Sequence, residues 1–394
     1  MIATSFQSTM FTQYAVVSSL FILMRYLAFG LAGIKVLWDL YCEWMEEKNS
    51  NTKVFERLVV KRICVYAVLM LVLGGVSIRT GDRTLLFVGA LLIAAQGIRF
   101  DEIAEKSFWI QCILMAVVVI SSSFNIIPDL LFKRQDIPIR HALGYTYPSV
   151  MVTSCLFIFL LYLWVRNSFL TNQEFVLAET LNLLVYKLTD SRTGFLAFAF
   201  VALILWGAGK QAIDSRLSKW VKSRESKICK VGIHIYDYLA VYLSVLLFLL
   251  CATMPLKITQ ILNNLLTDRI RLTADALQTY GVHLFGNAIQ WIGFGGSTDT
   301  DSLLASYNFV DSSYGYILVN YGIIVFSITI LLIVLASKYV RKTQSKMRMF
   351  VFGVVVLYCF IEPRLLEIHV NNFLFLVVPA VTCLISHREK RVKA

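Results

Sequence analysis

Apolar runs of about 15 to 25 residues recur along almost the whole chain, separated by short charged links, and this pattern narrows the possible folds more than any motif does. A helix needs about 20 residues to cross a hydrocarbon core of about 30 Å. Inside lipid every backbone N–H and C=O must be satisfied within the protein, so only helices or closed barrels cross it. The strict alternation of barrel strands is missing, which leaves helices. With 58% hydrophobic and 16% charged residues in a chain of 394, there is too little polar surface to clothe soluble domains of that size. The expected fold class is all-α: a polytopic transmembrane helix bundle forming a single integral membrane domain, residues 1–394.

The runs place about eleven crossings, at 11–40, 62–78, 84–98, 107–124, 148–165, 174–188, 194–208, 236–253, 312–336, 349–361 and 371–385. The first is long for one crossing and carries Arg25 and Lys35. Cytoplasmic links accumulate Lys and Arg, and most of the 37 basic residues fall in alternate links if residues 42–61 lie inside. The C-terminus is then cytosolic, and the net charge of +12 mainly expresses topology. The basic link 210–237 reads as an anchor to anionic lipid rather than a nucleic-acid surface. No cleavable leader is expected, because the first residues lack a basic segment. The eight cysteines fall in apolar runs or inward links, where packing is the expected role, and no pair has metal-ligand spacing.

Two outward links are long: a first outer loop at 125–147 and a second at 254–311, and loops of that length tend to be functional. In the second, Ile258, Ile261, Leu262, Leu265, Leu266, Ile270, Leu272 and Leu277 recur at helical spacing, which predicts amphipathic helices at the membrane surface. An aromatic and glycine-rich stretch follows, through His283, Gly286 and Trp291 to Gly296.

The chemistry is expected where basic residues occur in the outward links, because arginine keeps its proton and its planar fork suits phosphate. In Asp190-Ser191-Arg192-Thr193-Gly194, Arg192 sits in a tight connection, with Ser191 or Thr193 available to cap the next helix. The alternative for Arg192 is an interfacial side chain reaching to lipid headgroups. Arg140 and His141 precede a helix that Pro148 starts, which would put a cation near a helix N-terminus. His141 could serve as acid or base, or be simply solvated. Arg269 and Arg271 would diverge on a helix, so only one faces a common ligand, and Arg269 is the favoured one. Glu362-Pro363-Arg364 reads either as site residues or as a surface ion pair, and Asp311 before Ser312-Ser313-Tyr314 as a helix cap.

Taken together, Arg140 to Pro148, Thr189 to Gly194, Arg269 to Phe285, Asp311-Ser312-Ser313-Tyr314 with Asn320-Tyr321-Gly322, and Glu362 with Asn371-Asn372-Phe373 resemble the Wzy-like polysaccharide polymerases, the O-antigen polymerase family. The likeness covers most of the chain and rests on the shared order of motifs. It implies a glycosyltransferase of the bacterial cytoplasmic membrane, active at the outer face. Such an enzyme polymerises undecaprenyl-pyrophosphate-linked oligosaccharide repeat units into a capsule, exopolysaccharide or O-antigen. On that expectation Arg140, Arg192, Arg269 and Arg364 hold pyrophosphate, and Asp190, His141 or Glu362 is the general base. No cofactor and no metal is expected. The expected partners are the lipid-linked oligosaccharide, membrane lipid and a chain-length regulator, with no nucleic acid. The competing readings are a ligase-like glycan transferase and a lipid-linked oligosaccharide flippase.

Overall fold

The computed structural model describes residues 5–50, 53–134, 137–213, 228–293 and 307–392. The end of the glycine-rich stretch, 294–306, and most of the basic link, 214–227, lie outside the described residues. The chain is mostly helical, as the apolar runs require: α1 Ala15–Ser50, α2 Lys53–Thr80, α3 Thr84–Ala94, α4 Phe100–Ser123, α5 Pro148–Arg166, α6 Asn172–Thr189, α7 Arg192–Ile213, α8 Ile228–Asp237, α9 Leu239–Ala252, α10 Lys257–Leu265 and α11 Arg269–Tyr280. The ninth expected crossing is built from α12 Ser313–Tyr316, a π-helical turn Ile317–Tyr321 and α13 Gly322–Thr343; α14 Lys346–Tyr358 and α15 Val377–Val392 complete the set.

Among the described residues six helical segments are long and apolar enough to cross a membrane: Ala15–Cys42, Ile63–Thr80, Phe100–Ser123, Pro148–Arg166, Arg192–Lys210 and Ser313–Thr343. The count becomes seven if a bent pair is one span, and the other expected crossings are not matched by helices of that length and composition. Thr84–Ala94 and Asn372–Leu384 are short apolar helices, and Val231–Asp237 with Leu239–Ala252 is a pair bent by 75°. α6 carries Glu174, Glu179 and Lys187, and α14 has only 13 residues.

Burial separates centre from periphery. α5 buries 67% of its apolar window, against 11% for α1, whose Leu23, Leu27, Leu31 and Leu37 face outward as a lipid-exposed helix must. Trp164, Phe157, Phe352, Phe373 and Tyr314 are fully buried together at the centre. Local signals set the ends of the central helices. Pro148 occupies the first turn of α5, Asn167 ends it at φ 52°, and α6 opens with a reciprocal capping box between Thr171 and Glu174.

The links meet at two ends of the bundle. At one, Arg341 forms a fork on Asp237 at 2.7 and 2.8 Å, Arg348 lies 3.0 Å from Asp101, and Ser345 donates to Asn167. At the other, Tyr321 donates to Asp82 at 2.5 Å, Arg140 to the Thr189 carbonyl at 2.9 Å, and Arg269 to Glu362 at 2.8 Å. The N-terminal residues Ser8 and Met10 lie on that same end, through Met10 N–H to the Gly144 carbonyl at 2.8 Å and Thr146 N–H to the Ser8 carbonyl at 3.0 Å.

Two local features depart from the expectation. Part of the first outer loop is a β-hairpin, β1 Leu131–Arg134 with β2 Ile137–His141, pairing antiparallel with a bulge between Phe132 and Arg134. The second feature is the π-helical turn. Its displaced backbone groups are taken up by the second loop, where Asn287 N–H donates to the Asn320 carbonyl at 3.0 Å and Ile323 N–H donates to the His283 carbonyl at 2.9 Å. Contact is backbone to backbone: Gly286 (φ 77°) and Gly322 (φ 86°) lie against each other, and a Cβ on either would enter the other segment. Trp291 Nε1–H reinforces the join by donating to Asn320 Oδ1 at 2.9 Å.

Candidate functional site

The residues with chemical potential gather at the end where Arg269, Glu362 and Arg140 lie. Arg269 is the first residue of α11, reached through two left-handed residues, Thr267 (φ 52°) and Asp268 (φ 65°). Such conformations cost roughly 1 kcal/mol or more each and persist only where neighbours hold them. Asn263 does so: its Nδ2 donates to Asp268 Oδ1 at 2.8 Å and its Oδ1 accepts from Arg271 N–H at 2.9 Å. The turn aims Arg269 inward. Its Nη2 donates to Glu362 Oε1 at 2.8 Å, its Nη1 donates to the Ile361 carbonyl, and its Nε stands 3.8 Å from Asp311 Oδ2. That last distance is beyond a hydrogen bond, and Nε has no hydrogen-bond partner among the described residues. Arg271 turns away to Asp268 at 3.4 Å and is half exposed, so the divergence of the two arginines is as the helical spacing requires.

Asp311 does not cap the following helix. The N-cap position is Ser312, which makes no side-chain cap bond, while the Asp311 carboxylate faces Arg269. The neighbouring residues of that motif instead brace the Glu362 turn. Ser313 Oγ donates to the Glu362 carbonyl at 2.6 Å and accepts from Leu365 N–H at 3.1 Å, and Tyr314 OH donates to the Val356 carbonyl at 2.9 Å. Nor do Glu362 and Arg364 pair with each other as a surface couple. Glu362 holds Arg269, whereas Arg364 Nη1 donates to both Glu367 carboxylate oxygens at 2.6 and 2.8 Å, and both arginines are nearly buried. Asn371 and Asn372 hold this turn through the Leu365 and Ile368 carbonyls.

Electrostatics follow from burial. Burial pushes the Asp311 carboxyl up to about 6; Glu362 adds to this, while Arg269, Arg364 and a hydrogen bond from Tyr307 work against it. For Arg269 burial opposes the charge, but Glu362 and Asp311 more than offset it and raise its pKa. Burial also raises the Tyr307 hydroxyl, so it stays a donor toward Asp311. His369, 3.7 Å from Glu367, is pushed down to about 4 by burial and is neutral at pH 7.

Arg140 lies on strand β2, not at a helix N-terminus, and is 5% exposed. Its Nε donates to the Thr189 carbonyl at 2.9 Å and its Nη1 to Tyr147 OH at 3.3 Å, with the guanidinium 5.5 Å from the Tyr147 ring centre. Both partners are uncharged. Arg192 differs: it is 71% exposed, and Asp190 Oδ1 is 4.0 Å from its Nε. Asp190 itself ends α6 in the left-handed region at φ 42°. His141 Nδ1 lies 2.5 Å from Asp129 Oδ2, and Asp129 Oδ1 also accepts from Leu143 N–H at 2.7 Å, so this pair is tied into the hairpin end.

Thus Arg269, Glu362 and Arg364 belong to one nearly buried group with Asp311 and Glu367, Arg140 is buried against Thr189 and Tyr147, Arg192 is exposed beside Asp190, and His141 is held by Asp129. Tyr147, Tyr307, Glu367 and the inward turn of Asp311 were not foreseen. An Asp before a helix carries the same sequence signal whether it caps or faces away, and a single Tyr carries none. Among the described residues no three His, Cys, Asp or Glu side chains form a group able to hold a metal ion.

Comparison of the chain with protein-family models, with curated proteins and with solved structures gives no match. The molecule's class therefore rests on its own architecture: a mostly helical protein with several apolar helices of membrane-crossing length.

Proposed function

We propose that the protein is a multi-pass glycosyltransferase of the bacterial cytoplasmic membrane that joins undecaprenyl-pyrophosphate-linked oligosaccharide units into a surface polysaccharide. The end bearing Arg140, Arg192 and Arg269 faces outward in this reading, and the C-terminus is cytosolic. One observation carries the reading: Arg140 is buried, and among the described residues its partners are a carbonyl and a phenol with no carboxylate. A desolvated guanidinium without a counter-ion is costly unless it meets an anion, and its fork suits a phosphate. Among the described residues Arg140 has no carboxylate partner and the exposed Arg192 has Asp190 only at 4.0 Å, whereas Arg269 and Arg364 are already paired. The motif resemblance supplies the substrate class.

In the proposed reaction an acceptor sugar hydroxyl attacks the anomeric carbon of the lipid-linked donor chain. The bond from that carbon to pyrophosphate breaks, and the electron pair leaves with the diphosphate. Fixed guanidinium groups stabilise the charge that develops there, because they need not reorganise during the step. A chain-length regulator is a candidate partner.

The test is chain elongation by the purified protein in lipid nanodiscs, supplied with lipid-linked repeat units. Wild type should produce a ladder of lipid-linked glycans. Arg140→Ala should lose at least about 100-fold in rate, the scale of removing one preorganised oxyanion contact. Arg192→Lys should fall between wild type and Arg192→Ala, since Lys retains charge but not the fork. Transfer without elongation would identify a ligase instead. Movement of the lipid-linked substrate between leaflets with no transfer would identify a flippase.

A further inference from the structure

We infer that Asp311, rather than Glu362, Asp190 or His141, accepts the proton of the incoming sugar hydroxyl, an inference that rests on the transferase reading. Two carboxylates face Arg269, and the geometry divides their work. Glu362 is 4% exposed and bound at 2.8 Å to Arg269 Nη2, and its own backbone carbonyl is held by Ser313, so it serves as the fixed counter-ion. Asp311 is 24% exposed, stands 3.8 Å from Arg269 Nε, and is held otherwise by the Tyr307 hydroxyl. Its carboxylate is thus oriented yet not saturated, and the Nε–H that points toward it has no hydrogen-bond partner among the described residues. A sugar hydroxyl that reaches the exposed edge of Asp311 could donate its proton there, while the buried Arg269 guanidinium behind the carboxylate holds it in place, which is the arrangement a base needs in order to deprotonate a nucleophile. Asp190 faces the exposed Arg192 at 4.0 Å and has no contact with Arg269 among the described residues, and His141 is committed to Asp129.

The step balances simply. As the acceptor oxygen bonds to the anomeric carbon, its proton passes to Asp311, and the carbon–oxygen bond to the diphosphate breaks with its electron pair on the leaving group. Product release leaves Asp311 protonated, and the proton then returns to solvent. Among the described residues the charged groups that act on Asp311 are Arg269, Glu362 and Arg364, with Tyr307 as the neutral donor. Burial and Glu362 poise it near the operating pH, where a general base works best.

The experiment uses the full-length protein in nanodiscs and the lipid-linked repeat unit. Asp311→Asn should lower kcat by roughly 100- to 10,000-fold, the usual contribution of a general base, with KM little changed. Asp311→Ala should gain, with sodium azide as nucleophile, a glycosyl azide product that wild type does not form, because azide needs no deprotonation. Wild-type kcat/KM should fall tenfold per pH unit below about 6. A wild type that elongates normally while Asp311→Asn stays within threefold of it overturns the assignment alone. So does the absence of an acid limb between pH 5 and 7, or an inactive Asp311→Ala of normal monodispersity that makes no glycosyl azide. Failure of the wild type to elongate or transfer any glycan overturns the transferase reading, and this assignment with it.

Discussion

If Asp311 is kept near the surface of the buried group for chemistry, its charge is a burden on the fold, and replacing it by Asn should stabilise the protein. The carboxyl moves from an ordinary 3.8 to about 6 on folding. That is roughly two pKa units, or about 3 kcal/mol at 1.36 kcal/mol per unit, as a ceiling. The side chain is 24% exposed, so water screens part of this, and a gain of about 1 to 2 kcal/mol is the working expectation. The sign follows from proton uptake: the folded state binds the proton more tightly, so wild-type stability declines as pH rises from about 3.8 to about 6 and stays reduced above. Asp311→Asn lacks this decline. Its unfolding midpoint in detergent should exceed that of wild type by a few degrees at pH 7.5, and the difference should shrink on acidification toward pH 5. A variant less stable than wild type at pH 7.5 would show that Asp311 is a net structural partner of Arg269, and the electrostatic account would be wrong. A residue that costs stability yet is needed for turnover is the signature of a functional site.

Glu362→Gln should act in the opposite sense, destabilising by about 3 kcal/mol or more because it strips Arg269 of its closest buried counter-ion; thermal unfolding beside Asp311→Asn at one pH would check this. Gly286→Ala should abolish accumulation of folded protein or lower its unfolding midpoint sharply, since φ 77° and the Asn320 backbone both exclude a Cβ, whereas Gly293→Ala, whose Cβ would meet only the Phe309 side chain at 3.7 Å, should be nearly neutral. His141→Gln should keep chain elongation within a few-fold of wild type, because the imidazole is engaged by Asp129 and sits apart from the Arg269 group; complete loss with a normal protein level would return His141 to the mechanism.

Much of this molecule can be read along the chain. Lipid imposes a one-dimensional rule, a minimum length of continuous apolar residues, so the helical class and the positions of the six long apolar helices follow from counting. The amphipathic stretch yields α10 and α11, and two arginines two residues apart must diverge on a helix, so only one of Arg269 and Arg271 could turn inward; which one it is comes from the contacts of Arg269 with Glu362 and Asp311. The short or bent crossings were less legible, because the same composition suits a straight span, a broken one or the π-turn that receives His283 to Asn287.

Partner choice is where tertiary structure took over. Arg269 and Glu362 are 93 residues apart, and Arg140 and Thr189 are 49 apart, so no local pattern links them. Glu362 and Arg364, neighbours in sequence, separate onto Arg269 and Glu367 because the turn between them is braced by Ser313 from another helix. Residue type declares what a side chain is able to do, and periodicity declares which element bears it. Whether a carboxylate is a cap, a counter-ion or a poised base depends on how deeply it is buried and what charge it faces, and those quantities exist only once distant segments have packed together.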